Sequence, residues 1–248
     1  MDFQKKAVII TGAASGIGLL SAQKFAELGA SVTLTDINVD AVTAAADEIR
    51  KIGGRALGVQ VDVRQYDQVK HAVEVTESEF GSVDILINCA GGASSRVFGR
   101  SEGFHELDIE VIDWGIDVNL KGPVYFCHAA LAPMIRQGSG VIVNFSSVTG
   151  IAGDGWGAID YSTAKSGLIG LTKSLALYGA PHGVRAVCIA PGPVLTREAM
   201  ANMKTPLGRA AETQEVVDFV LYLASEKGAF ITGSTHLIDG GFCCGGWK

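Results

Sequence analysis

The apolar positions follow two rhythms that alternate along the chain. Short continuous apolar runs recur at residues 7–10, 31–36, 56–61, 84–88, 141–145, 184–189 and 235–238. Runs of that length, closed by glycine, proline or a polar residue, read as strands buried on both faces. Between the first four lie stretches whose apolar residues recur every three or four positions. Leu19, Ala22, Phe25, Ala26 and Leu28 mark one, and Val39, Val42, Ala46, Ile49 and Ile52 a second. Val69, Val73, Thr76 and Phe80 mark a third. Such spacing lays side chains on one face of a helix. Further helices are predicted over 109–135 (bent near Asn119 or Pro123), 160–179 and 212–225. Gly29, Gly53-Gly54 and Gly81 read as helix stops. Residues 195–209 read as irregular or a short helix. The polar segment 92–108 exceeds an ordinary connection and is either a binding loop or a surface excursion.

Strands alternating with helices, and too apolar to face water, predict an α/β fold. The expected architecture is a Rossmann-like doubly wound parallel sheet with helices on both faces. Crossovers of one hand bring every strand's C-terminal end to one edge, where ligands bind. The chain reads as one dinucleotide-binding and catalytic domain over 1–248.

Composition narrows the function. A net charge of −6 argues against nucleic acid and anionic membranes as partners. The start, Met1-Asp2-Phe3-Gln4-Lys5-Lys6, lacks the order of a signal peptide, and no apolar stretch reaches membrane-spanning length. A soluble cytoplasmic protein is the expectation. Cys89, Cys127 and Cys188 sit in apolar contexts and read as reduced core residues. The five histidines are scattered, and no His/Cys/carboxylate group has ligand spacing, so no metal is predicted.

The chemistry collects at strand ends. Gly12, Ser15, Gly16, Ile17 and Gly18 join the first strand to the first helix with the spacing G-x-x-x-G-x-G. Glycines admit a close approach to the backbone, and the helix N-terminus presents unpaired amides, which suits a pyrophosphate. Asp36 closes the second strand about twenty residues on, where a dinucleotide fold places the acid that bonds the adenosine ribose. A carboxylate there accepts from free ribose hydroxyls and repels a 2′-phosphate. Ala14 supplies no compensating charge, so NAD is favoured over NADP. Asp36 also fits a plain cap for the next helix. Asp62 and Asn88 end the third and fourth strands on the same edge.

Tyr161 and Lys165, at i and i+4, share a helix face, and that helix follows the strand ending in Ser146-Ser147. A tyrosine of ordinary pKa, about 10, is a poor base at neutral pH. A nearby ammonium and an oxidised nicotinamide would lower it, letting the phenolate take an alcohol proton as hydride leaves carbon. A serine hydroxyl aimed at the same oxygen would stabilise its developing charge. Either member of a surface Tyr–Lys pair, or of a serine pair capping a turn, would look the same in sequence. Asn119 is an uncommon residue for a helix interior.

In these motifs the chain resembles the short-chain dehydrogenase/reductase family, in its compact branch, nearly end to end. Thr11-Gly12-Ala13-Ala14-Ser15-Gly16-Ile17-Gly18 resembles TGxxxGIG. Asn88-Cys89-Ala90-Gly91 resembles NNAG, with Cys89 for the second Asn. Tyr161-Ser162-Thr163-Ala164-Lys165 resembles YxASK, with Thr163 and Ala164 as departures, and Pro191-Gly192-Pro193-Val194-Leu195-Thr196 resembles PGxVxT. The resemblance implies Asn119, Ser147, Tyr161 and Lys165 as catalytic residues, Asn119 holding a proton-relay water through its backbone. Ser146 is the alternative to Ser147. It implies NAD bound by Gly12, Ser15, Gly16, Ile17, Gly18, Asp36 with Ile37, Asp62, Val63, Asn88, Ala90, Gly91, Tyr161, Lys165, Pro191, Gly192, Val194 and Thr196. Within that set Lys165 bonds the nicotinamide ribose, Asp62-Val63 meets adenine, and Val194 and Thr196 hold the carboxamide. It further implies seven strands and a homotetramer formed through the helices carrying Asn119 and Tyr161.

The expected activity is NAD-dependent interconversion of a secondary alcohol and a ketone. The substrate is a small molecule lying between segment 92–108, the turn Asp154-Gly155-Trp156 and residues 196–205. The Arg, Ser, Glu and His of segment 92–108 point to a polar substrate such as a sugar, polyol or hydroxy acid. Reduction of an acyl-carrier-protein ketoester, hydroxysteroid oxidation and a non-catalytic NAD-binding regulator are the alternatives.

Overall fold

The computed structural model describes residues 1–153 and 158–244. Seven strands form one all-parallel sheet: β1 (Ala7–Thr11), β2 (Ser31–Asp36), β3 (Arg55–Gln60), β4 (Ile85–Asn88), β5 (Gly140–Phe145), β6 (Val184–Pro191) and β7 (Thr235–Ile238). Their order across the sheet is β3-β2-β1-β4-β5-β6-β7, so the winding reverses between β1 and β4. Register is in step along the first half: Ile9 lies between Thr33 and Leu86.

Strand side chains alternate between two apolar layers. Val8, Ile10, Val32, Leu34, Ile85 and Ile87 enter the layer covered by α1 (Gly16–Glu27), α2 (Val39–Lys51) and, over the later strands, the Thr213–Ala224 helix. Ile9, Leu86 and Ile142 enter the opposite layer, where Val69 and Val73 of α3 (Tyr66–Phe80) meet Phe126 and Met134. This period of two, with both faces covered, is why the strands read as continuous apolar runs. Gly81, at φ 84°, and Gly138, at φ 70°, end their helices in the left-handed conformation that glycine adopts freely.

The sequence predicts one bent helix over 109–135. The structure resolves it into α5 (Ile109–Ile116), a π-helical turn (Asp117–Lys121) and α6 (Gly122–Gln137). Asn119 sits inside the π turn. Its Nδ2 donates to the Gly115 carbonyl, an acceptor four residues back that an α-helical backbone would use itself. Segment 92–108 divides into two parts. Its first part holds the short helix α4 (Ser94–Val97) against the binding edge, while Arg100 pairs with Glu102 and Asp108 away from it. The turn Asp154-Gly155-Trp156 lies outside the described residues. The fold closes with α7 (Thr149–Ala152), α8 (Ile159–Gly179) and α9 (Thr213–Ala224). Among the described residues no helix is long and apolar enough to cross a membrane.

Candidate active site

A cavity of about 920 Å3 runs along the C-terminal edge of the sheet, over the β1/β4 switch point. Its floor at one end is the glycine turn. Gly12 and Gly16 hold φ of +65° and +56°, which side chains rarely adopt. A Cβ on Gly12 would come within 2.8 Å of the Ala90 Cα, and one on Gly18 within 2.3 Å of the Gly12 carbonyl. Ser15 precedes α1 without making a side-chain cap, so the first-turn amides remain available to a ligand. Thr11 pins the arrangement: its Oγ1 accepts from the Cys89 and Ala90 amides, at 3.0 and 2.9 Å. The sequence reading left that threonine as part of a motif without a task.

At the end of β2, the Asp36 carboxylate lines the cavity and accepts from the Ala14 amide at 3.1 Å and the Asn38 amide at 3.0 Å. Capping of α2 falls to Asn38, whose side chain accepts from the Ala41 amide, so Asp36 is not that helix's cap. Ile37, Asp62 and Val63 line the same end. Arg64 also reaches it, but its guanidinium is taken up by Asp62 at 2.6–3.1 Å, which holds the Asp62 carboxyl below its usual range.

The opposite end gathers Ser147, Tyr161 and Lys165 with Ala90, Gly91, Pro191, Gly192, Val194 and Thr196. Lys165 reaches inward from α8; its Nζ donates to the Phe145 carbonyl at 2.7 Å and stands 5.5 Å from the centre of the Tyr161 ring. Ser146 donates to the Lys165 carbonyl at 2.7 Å, whereas Ser147 accepts from the Thr149 hydroxyl at 3.2 Å and lies near enough to Tyr161 to draw its pKa down. Both serines line the cavity, and Ser147 is the one whose hydroxyl is not taken up by the Lys165 carbonyl.

Two predicted residues stand behind the cavity instead of lining it. Asn88 is buried, and its Nδ2 donates to Asn144 at 2.9 Å in a chain that continues to Thr172. Asn119 clasps Gly92 from both sides: it accepts from the Gly92 amide and donates to the Gly92 carbonyl, each at 2.9 Å. A Cβ on Gly91 would lie 2.5 Å from Asn119 Oδ1 and 3.2 Å from Lys165 Nζ, so the asparagine, the glycine and the lysine fit only as a set.

The sequence expectation has Lys165, together with an oxidised nicotinamide, drawing the Tyr161 pKa down. Among the protein's own groups burial raises it, and the groups that counter the rise are Ser147, Arg96 and Arg197. Lys165 itself is pushed down to about 8 by burial. Its ammonium stands by the ring and is bonded to a carbonyl, while the two guanidinium groups act on the hydroxyl. Cys89 also lines the cavity as an inert thiol, raised to about 12 by burial. Among the described residues there is no cluster of potential metal ligands.

The structure fits a dinucleotide: the glycine contacts leave no room for side chains along the turn, and a carboxylate waits one strand away. Comparisons with known proteins agree with this architecture. Residues 12–243 match a family model described as enoyl-(acyl carrier protein) reductase, of the short-chain dehydrogenase type. A cyclohexanol dehydrogenase from Acinetobacter sp. (strain SE19) is 35% identical over 97% of this chain and 96% of its own. A cis-4-hydroxycyclohexanecarboxylate dehydrogenase from Sinomonas cyclohexanicum is 36% identical over 97% of each. The crystal structure of a short-chain type dehydrogenase/reductase from Mycobacterium marinum superposes with a TM-score of 0.90 at 33% identity, covering 98% of both chains. With this fold, these motifs and these relatives, the chain belongs to the short-chain dehydrogenase/reductase family, whose members are nicotinamide-dependent oxidoreductases.

Proposed function

We propose that the chain is an NAD(H)-dependent dehydrogenase that interconverts a secondary alcohol and a ketone. The observation that carries this reading is the meeting of Ser147, Tyr161 and Lys165 in one cavity with the glycine turn. The nicotinamide, when bound, supplies the two-electron acceptor for the hydride that leaves the carbinol carbon as the carbonyl forms. The protein's own groups manage the proton. Tyr161, as phenolate, takes the hydroxyl proton as the O–H bond breaks, and as phenol it returns that proton to a carbonyl oxygen in reduction. Ser147, beside the Tyr161 side chain in the cavity, donates to the reacting oxygen. Lys165, anchored on the Phe145 carbonyl, keeps its remaining donors for the ribose hydroxyls. Asn119 fixes Gly91-Gly92 beside them.

Asp36 supports NAD as the cofactor. Two backbone amides fix the carboxylate without neutralising it, and the only guanidinium among the described residues lining that end is paired with Asp62. Ribose hydroxyls find an acceptor there; a 2′-phosphate finds a like charge. The substrate is polar, drawn from sugars, polyols and hydroxy acids. Two relatives are named for secondary alcohols, and one of these, the 4-hydroxycyclohexanecarboxylate, is a hydroxy acid. The test is nicotinamide absorbance in the presence of the purified chain and a panel of polyols, sugars, hydroxy acids, hydroxyacyl thioesters and sterols, with NAD and NADP side by side. Turnover with NAD on a polar alcohol is expected. Exclusive turnover of hydroxyacyl thioesters or sterols would replace the substrate class, and none at all with tight NADH binding would favour a regulator.

A further inference from the structure

Two guanidinium groups stand in the catalytic cavity with no counter-charge among the described residues. Arg96, on α4, and Arg197, just beyond Thr196, both line it. Every other arginine in the chain is engaged. Arg50, Arg64, Arg100, Arg136 and Arg209 pair with carboxylates, and Arg55 and Arg185 donate to backbone carbonyls. Among the described residues only Arg96 and Arg197 have neither, and they come from segments a hundred residues apart to the same space.

Their placement is specific. Arg96 lies back over Gly92, where a Cβ would meet its Nη2 at 2.5 Å, so that glycine keeps the guanidinium's seat open. Each group's charge reaches the Tyr161 hydroxyl, and that of Arg197 reaches Arg96 and makes its protonated form costlier. Like charges held within range of each other are relieved by an anion between them. Beside them the wall is apolar: Val97, Trp114, Met200 and Met203 face the same space.

Resting on the reading of this cavity as the hydride-transfer site, we propose that the substrate is a carboxylate. It is a secondary alcohol or ketone whose carboxylate is gripped by Arg96 and Arg197 while its apolar skeleton lies against Trp114 and the two methionines. Guanidinium groups suit this task because their paired N–H donors match the two oxygens of a carboxylate. The grip would also orient the carbinol carbon, since it fixes one end of the molecule at a set distance from Tyr161.

The test separates this proposal from the hydride-transfer reading by measuring binding without turnover. The full chain, saturated with NADH, is titrated calorimetrically with cyclohexanecarboxylate, cyclohexanesulfonate, cyclohexyl phosphate and neutral cyclohexanecarboxamide. The carboxylate is expected to bind at least about tenfold tighter than the amide, the worth of one charged hydrogen bond. Arg96→Gln and Arg197→Gln, both at exposed positions, should each weaken the carboxylate by roughly tenfold to a hundredfold. NADH affinity should hold in both. In turnover, the kcat/KM ratio of 4-hydroxycyclohexanecarboxylate to cyclohexanol should fall in each variant, with Arg→Lys restoring part of it. Equal binding of acid and amide would overturn the proposal. So would loss of NADH affinity in both variants, which would assign the guanidinium groups to the cofactor's phosphates. Tighter binding of the sulfonate or the phosphate would overturn the carboxylate as the anion. Selective carboxylate binding with no turnover of any alcohol would uphold the anion grip and overturn hydride transfer instead.

Discussion

The two ends of the cavity are built differently and charged oppositely. At the β1–β3 end the walls are strand termini and backbone: Gly12 against Ala90, Gly18 against the Gly12 carbonyl, and Asp36 held by two amides. At the other end the walls are the short helix α4 and the segment after β6, and the charges are Arg96 and Arg197. At the first end the glycines bring backbone so close to backbone that no side chain fits between. The second offers side chains that reach out from connections. A cofactor common to many enzymes suits the rigid end, and a substrate that differs among relatives suits the adaptable one.

The contrast can be broken at the rigid end most severely. Gly18→Val places carbon where the Gly12 carbonyl already stands, and NADH binding by fluorescence titration should fall by more than about a hundredfold, in line with several kcal/mol of displaced backbone. At the same end Asp36→Ala should lower NAD affinity and raise relative use of NADP by roughly tenfold to a hundredfold, the scale of one charged hydrogen bond gained or lost. An unchanged NAD/NADP ratio would remove Asp36 from the ribose site.

Lys165 marks the join between the two ends and carries a stability cost. Its folded pKa is about 8 against an ordinary 10.5, because burial disfavours the ammonium. Between those values the unfolded chain binds the extra proton, so stability should rise as pH rises from about 8 to about 10.5. Full removal of that cost corresponds to about 3 kcal/mol, and loss of the Phe145 hydrogen bond offsets about 1. Lys165→Met should therefore be inactive yet more stable by about 2 kcal/mol at neutral pH, measured by urea denaturation, and should lose the alkaline rise. At the substrate end the smallest effect is on the pH profile. Alcohol oxidation needs the Tyr161 phenolate, whose pKa burial raises, so the rate should climb with alkaline pH. Because Arg96 draws that pKa down, Arg96→Gln should move the climb to higher pH.

The rigid end was the legible one. Apolar runs, helix stripes and glycine spacing are local signals, and they led to the parallel sheet, the glycine turn and Asp36 at its edge. The Tyr161–Lys165 pair was legible for the same reason, since i and i+4 lie on one helix face whatever else the chain does. Other features depend on contacts distant in sequence. Asn119 looks merely awkward in a helix until the π turn and the Gly92 clasp supply its reason. Asp160, beside Tyr161, is buried and accepts from Ser94 at 2.5 Å, which ties α4 to α8 across 66 residues. The balance at Tyr161, which burial raises and two arginines counter, depends on residues that no periodicity brings together.

The most direct measurement is Tyr161→Phe, assayed for NAD reduction on the best alcohol of the panel alongside NADH binding by fluorescence. The account predicts turnover lower by about a thousandfold or more, the scale of a lost general base, with NADH affinity near that of the parent chain. Full activity in Tyr161→Phe would contradict it.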